Sequence, residues 1–203
     1  MDQKVLDLLD ATIKAVKEAN INYMIGGGLA LIHYGMLRET HDLDIFVKQE
    51  DAEKLIKGFE KQGMLTKLTD KRWLYQATLG KGLLEFKKNN TIDVIFQNDT
   101  EIKIGDRFLL RAQKVKFHDR QFNVISVEDL VLFKAHSQKE WIKNHWRDGV
   151  WLINNHILEF NWDYFLSLPE AYSRKVLGFL LMVDSVRQEV PFRVIKQISD
   201  KVL

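Results

Sequence analysis

The chain has 203 residues, 46% hydrophobic and 29% charged, a balance that fits a globular fold and excludes disordered or low-complexity chains. Lys and Arg number 30 against 28 Asp and Glu, and the resulting +2 neither requires nor forbids a nucleic-acid partner. Cysteine is absent, which excludes disulfide frameworks, thiol nucleophiles and cysteine-type zinc sites.

Taken in chain order, Val5, Leu8, Leu9, Ile13 and Val16 recur at helical spacing and predict an amphipathic helix over residues 3–19. The start, Met1-Asp2-Gln3-Lys4, lacks the apolar core of a signal peptide, and no apolar run reaches the roughly 20 residues that span a bilayer. The expectation is a cytoplasmic protein with no membrane partner. A short strand from Tyr23 to Ile25 breaks at Gly26-Gly27-Gly28, and Leu29 to Tyr34 reads as a helix stopped by Gly35. Asp42 to Val47 alternates as a strand, and residues 50–62 are helical with Ala52, Leu55, Ile56 and Phe59 on one face. From 64 to 125 the pattern is of short β segments. Leu83–Lys87 and Ile92–Phe96 form an expected hairpin through Asn89-Asn90, and Phe117–Ile125 is a further extended stretch. Ser126 caps a helix with Glu128 and Asp129 in its first turn, and the remainder reads as helical, with turns at Pro169 and Pro191. The predicted organisation is an α/β domain over 1–125 and a helical domain over 126–203.

The chemistry concentrates in Ile25-Gly26-Gly27-Gly28-Leu29-Ala30 and Arg38-Glu39-Thr40-His41-Asp42-Leu43-Asp44-Ile45. Strand alternation puts Asp42 and Asp44 on one face and Leu43, Ile45 and Val47 on the other. Two carboxylates held that close repel, a conflict that a hard divalent cation removes; oxygen-only ligation favours Mg²⁺ or Mn²⁺. The glycine turn at Gly27 and Gly28 can present backbone N–H groups to a phosphate. Asp93, alone opposite Ile92, Val94 and Phe96, is the candidate third acid. Thr40 shares the face of Asp42, so it is either a contact to nucleotide or a structural hydroxyl, and Arg38 carries the same two readings. Lys134 falls on the stripe of Val127, Leu130 and Val131, where its stem can pack while the amine reaches water. Asp148 lies nearly opposite the stripe Trp146, Val150, Ile153 and Ile157, which points it to a cleft or to bulk water. From Lys103 to Arg120, with Arg107, Arg111, Lys114 and Lys116 between, basic residues outnumber acids, so RNA is a possible acceptor there; a solvated hairpin is the plainer account.

The Gly27-Gly28 turn, the helix after it, Asp42-Leu43-Asp44-Ile45 and the later Asp93 resemble the DNA polymerase β-type nucleotidyltransferases. The longer run, Gly-Gly-x-Ala-x-x-x-x-Gly with Arg-x-Thr-x-Asp-x-Asp, is similar to small bacterial members, the AbiEii-like toxins and the aminoglycoside and lincosamide nucleotidyltransferases. Gly28 stands where many active members have a serine. The resemblance implies a nucleotidyltransferase-like mixed sheet flanked by helices, with a helical C-terminal region. It implies an enzyme that moves a nucleoside monophosphate from an NTP to a hydroxyl, with Mg²⁺ or Mn²⁺ held by Asp42, Asp44 and Asp93. It further implies triphosphate contacts from Lys134 and, in some members, a base role for an acid at the place of Asp148. Two other classes share these residues: a non-catalytic nucleotide-binding regulator or antitoxin-like partner, and a metal-dependent phosphodiesterase. The acceptor, the base preference and the oligomeric state are not specified by the sequence.

Overall fold

The computed structural model describes all residues except 1, 81, 83, 85, 87–89, 98–101, 138–144, 188–189 and 203, together with the side chain at 187. The chain divides into two compact units, Met1–Ser126 and Val127–Leu203.

Among the described residues, the first unit is built on a seven-stranded mixed sheet. Helix α1 (Gln3–Ala19) starts where the Asp2 carboxylate accepts from the Lys4 N–H, and it buries Val5, Leu8, Leu9 and Val16. Strand β1 (Met24–Ile25) runs into α2 (Gly27–His33), and β2 (Leu43–Phe46) leads to α3 (Gln49–Lys61). Helix α2 ends in a Schellman turn: Gly35 adopts φ 97°, and the Met36 N–H donates to the Leu31 carbonyl at 2.9 Å. Then follow β3 (Leu65–Asp70), β4 (Leu74–Thr78), β5 (Ile92–Ile95), the short α4 (Asp106–Leu109), β6 (Gln113–Phe117) and β7 (Arg120–Val124). The strand order is β3-β4-β5-β2-β1-β7-β6, with β2/β5 and β1/β7 parallel and the other pairs antiparallel. Helices α1 and α3 pack on each other and on the sheet. Leu43, Ile45, Ile92 and Val94 are fully buried on one sheet face, while Asp44 and Asp93, on the other, are half-buried.

Two expectations about the strands need correction. Much of the first strand of the hairpin expected from Leu83–Lys87 and Ile92–Phe96, with its Asn89 turn, lies outside the described residues. Strand β5 has no edge for it, since β4 pairs along one side and β2 along the other. The stretch Phe117–Ile125 is not continuous: the chain reverses at His118-Asp119, with His118 at φ 53°, and Phe117 pairs with Arg120. His118 and Asp119 form a two-residue turn of the kind that favours positive φ.

The second unit is helical: α5 (Val127–His136), α6 (His145–His156), α7 (Trp162–Leu166), α8 (Ser173–Arg187) and α9 (Phe192–Asp200), with a 3₁₀ turn at Glu170–Tyr172. Every residue of α5 is buried, including Glu128, Asp129, Lys134 and His136, so its polar groups find partners inside the unit. The Glu128 carboxylate accepts from the Asn161 N–H at 2.9 Å, and the Tyr164 hydroxyl donates to Asp129 at 2.6 Å.

Candidate active site

The three glycines let the chain pass close to the acid-bearing strand. Met24 and Ile25 pair with Phe46 and Ile45, and the Gly26 N–H donates to the Asp44 carbonyl at 3.0 Å. A Cβ on Gly26 would run into the Phe46 ring, one on Gly27 into the Asp44 carboxylate, and one on Gly28 into the Thr40 hydroxyl. Gly27 also sits at φ 55°, a conformation that an L side chain resists. The Asp44 carboxylate therefore stands against backbone at the start of α2, and Thr40 fills the space that a side chain at 28 would need. This accounts physically for glycine rather than serine at that position.

Asp44 and Asp93 are directly paired on the parallel strands β2 and β5. Paired positions share a face, with strands about 4.8 Å apart, so the two carboxylates are neighbours. Two donors hold Asp93: Gln76 Nε2 and the Thr91 hydroxyl each donate to Oδ1 at 2.9 Å. Gln76 is itself fixed, since its Oε1 accepts from the Thr69 hydroxyl at 2.9 Å. Asp42 precedes β2. The buried Thr40 hydroxyl lies 3.2 Å from both the carbonyl and Oδ1 of Asp42. Arg38 is exposed, and its Nε donates to the Glu39 carbonyl at 3.3 Å.

Of the remaining candidates, Lys134 and Asp148 belong to the second unit. Lys134 Nζ donates to Asp148 Oδ2 at 2.9 Å, and both side chains are buried. Asp148 thus does not face bulk water: α6 buries Asp148, Gly149, Leu152 and Ile153. A Cβ on Gly149 would press on the Phe179 ring, so the glycine permits the close packing that encloses the ion pair. Along the basic stretch, Lys114 and Lys116 are exposed on β6, whereas Arg120 is committed to Asp10 through two contacts of 2.7 Å and to Asp119 at 2.9 Å.

Residues 5–163 match the family described as nucleotidyl transferase of unknown function (DUF2204). The chain belongs to this nucleotidyltransferase family. No curated protein sequence matches it. The solution structure of the antibiotic-resistance factor ANT(2'')-Ia superposes with a TM-score of 0.59 at 15% identity, covering 94% of this chain and 100% of that one. The crystal structure of ANT(2")-Ia in complex with adenylyl-2"-tobramycin gives 0.51 at 14% identity, covering 87% and 97%. The lincosamide antibiotic adenylyltransferase LnuA, bound to lincomycin, gives 0.49 at 18%, covering 76% and 95%. The nucleotidyltransferase thus has the expected fold, a mixed sheet with flanking helices and a helical C-terminal region. Among its described residues no helix is long and apolar enough to cross a membrane.

The donor chemistry of the acids suits a divalent cation, though only in part as they stand. Among the described residues no three His, Asp or Glu side chains form a group that could hold a metal ion. Asp44 and Asp93 are the pair that the sheet register brings together, both hard oxygen donors, while Asp42 is held by Thr40.

Proposed function

We propose that this nucleotidyltransferase moves a nucleoside monophosphate from an NTP to a hydroxyl acceptor at the face formed by the glycine turn, Asp42, Asp44 and Asp93. The observation that carries the reading is the direct pairing of Asp44 with Asp93 beside a glycine turn whose missing Cβ makes room for the Asp44 carboxylate. In the transfer, the acceptor oxygen forms a bond to the α-phosphorus, the α–β bridging bond breaks, pyrophosphate departs and the hydroxyl proton passes to solvent.

Asp44 and Asp93 would hold Mg²⁺ or Mn²⁺, and Asp42 would complete the set on leaving the Thr40 hydroxyl. Bound there, the cation supplies charge neutralisation to the triphosphate and acidity to the acceptor hydroxyl. Gly27 and Gly28 bring backbone close to the β and γ phosphates, with Thr40 beside them in place of a side chain at 28. Arg38, in the exposed loop ahead of Thr40, adds positive charge near the nucleotide. Lys134 would reach a triphosphate only by exchanging Asp148 for phosphate. A small-molecule acceptor is favoured by the likeness in fold to ANT(2")-Ia, whose structure contains adenylyl-2"-tobramycin.

The test is calorimetry of Mg²⁺–NTP binding to the wild type and to Asp42→Asn/Asp44→Asn. Binding that depends on Mg²⁺ or Mn²⁺ and falls at least tenfold in a folded double variant is expected. Equal affinity in the two proteins would remove the acids from the metal site.

A further inference from the structure

The sheet extends the site in one direction. The glycine turn flanks Asp44, Asp93 is paired beside it on β5, Gln76 is paired with Asp93 on β4, and Lys67 is paired with Gln76 on β3. Each step is in direct register, so Asp44, Asp93, Gln76 and Lys67 form one row on a single sheet face. A triphosphate placed against the glycines leaves the Asp93 end of the row for the attacking hydroxyl. An acceptor that reaches Asp93 from that end passes over Gln76 and Lys67.

The charges along this approach are uneven. Gln76 uses both ends of its amide within the protein, toward Asp93 and Thr69. Lys67 is exposed, two strand spacings or about 10 Å from Asp93. Strands β3 and β4 carry a single carboxylate, Asp70, and Arg72 binds it through its backbone N–H, Nε and Nη2 at 2.9–3.2 Å. Those hydrogen bonds hold the Asp70 pKa down at about 2, so it stays ionised and paired. Glu60, at the end of α3, receives the Thr66 hydroxyl at 2.6 Å. Among the described residues, β3 and β4 thus offer an ammonium group at Lys67 and a single carboxylate, which Arg72 already pairs. That arrangement repels a cationic acceptor and attracts an anionic one.

We propose that the acceptor hydroxyl belongs to a molecule that also carries a phosphate group, which Lys67 reads about 10 Å from the Asp93 carboxylate. This rests on the nucleotidyl-transfer reading of the site. A sugar phosphate and the backbone of a short oligonucleotide present the same chemistry, and the test includes both.

Ribose 5-phosphate, ribose, glucosamine and an oligoribonucleotide of three residues are titrated into the full chain, with and without Mg²⁺ and a non-hydrolysable NTP analogue. Wild type is expected to bind ribose 5-phosphate more tightly than ribose, and glucosamine most weakly. Lys67→Glu should lose about fivefold for ribose 5-phosphate (about 1 kcal/mol) and gain for glucosamine. Lys57→Glu makes the same charge change on the exposed side of α3 and should leave the order as in wild type. Tighter binding of the oligonucleotide, with the same dependence on Lys67, assigns the phosphate to nucleic acid; tighter binding of the sugar phosphate assigns it to a small molecule. Equal binding of the three sugars, or an unchanged order in Lys67→Glu, overturns the proposal. Failure of the Mg²⁺–NTP analogue to bind wild type strikes the transfer reading instead, and the titrations without nucleotide keep the two results apart.

Discussion

Asp93 shows how one neighbour on the adjacent strand and one on its own segment hold a candidate carboxylate in place. Gln76 and Thr91 both donate to Oδ1, which fixes the rotation of the group. Gln76→Met keeps length and apolar volume but deletes the donor. A hydrogen bond to a charged group is worth about 1.5–3 kcal/mol, so kcat should fall about tenfold or more. The KM for NTP should change little, because Gln76 lies on the far side of Asp93 from the glycine turn. Steady-state kinetics and Mn²⁺ binding by electron paramagnetic resonance check this; unchanged kcat and Mn²⁺ affinity would remove Gln76 as a positioning residue. The acids were legible in the sequence because a polar residue amid β-formers stands out within one strand. Gln76 was not, because its role depends on which strands pair, and it lies 17 residues from Asp93 along the chain; Thr91 is only two residues from Asp93, and its hydroxyl was hidden among the β-formers of that segment. The three glycines read as a turn, but the need for each one appears only against Phe46, Asp44 and Thr40.

Helices α5 and α6 show where a hydropathy stripe misleads. The stripe through Trp146, Val150 and Ile153 put Asp148 outside, yet the packed side contains Asp148, Gly149, Leu152 and Ile153. An acid and a lysine each look like surface residues alone, and only their meeting at 2.9 Å makes burial of both tolerable. Lys134→Met leaves Asp148 buried without its cation and should destabilise the helical unit by about 3–5 kcal/mol. Lys134→Met/Asp148→Leu should recover most of that loss. Thermal unfolding of the two variants distinguishes a structural pair from a lysine held for phosphate. If Lys134→Met is as stable as wild type but binds NTP tenfold more weakly, the phosphate role is the right one.

At the scale of the molecule, the chain consists of two units that meet at Ser126 and Val127, where short strands give way to helices. The sequence showed the mixed character of the first unit and the helical character of the second, since the two periodicities differ. It did not show the strand order. The β2/β5 parallel pairing joins segments 49 residues apart, as Asp44 with Asp93, and no local pattern encodes that register. Yet that pairing is what brings the two candidate acids side by side, and the family gives only the general chemistry, nucleotidyl transfer. We therefore propose that the Asp44–Asp93 pair serves metal-dependent nucleotidyl transfer. The most direct measurement uses α-labelled NTP and Mg²⁺ with ribose 5-phosphate, oligoribonucleotide and aminoglycoside acceptors, comparing wild type with Asp93→Asn at matched NTP occupancy. Wild type should leave label covalently on an acceptor and release pyrophosphate; Asp93→Asn should bind Mg²⁺–NTP within a few-fold of wild type yet transfer no label. Normal transfer by Asp93→Asn, or no transfer by wild type to any of these acceptors, would contradict it.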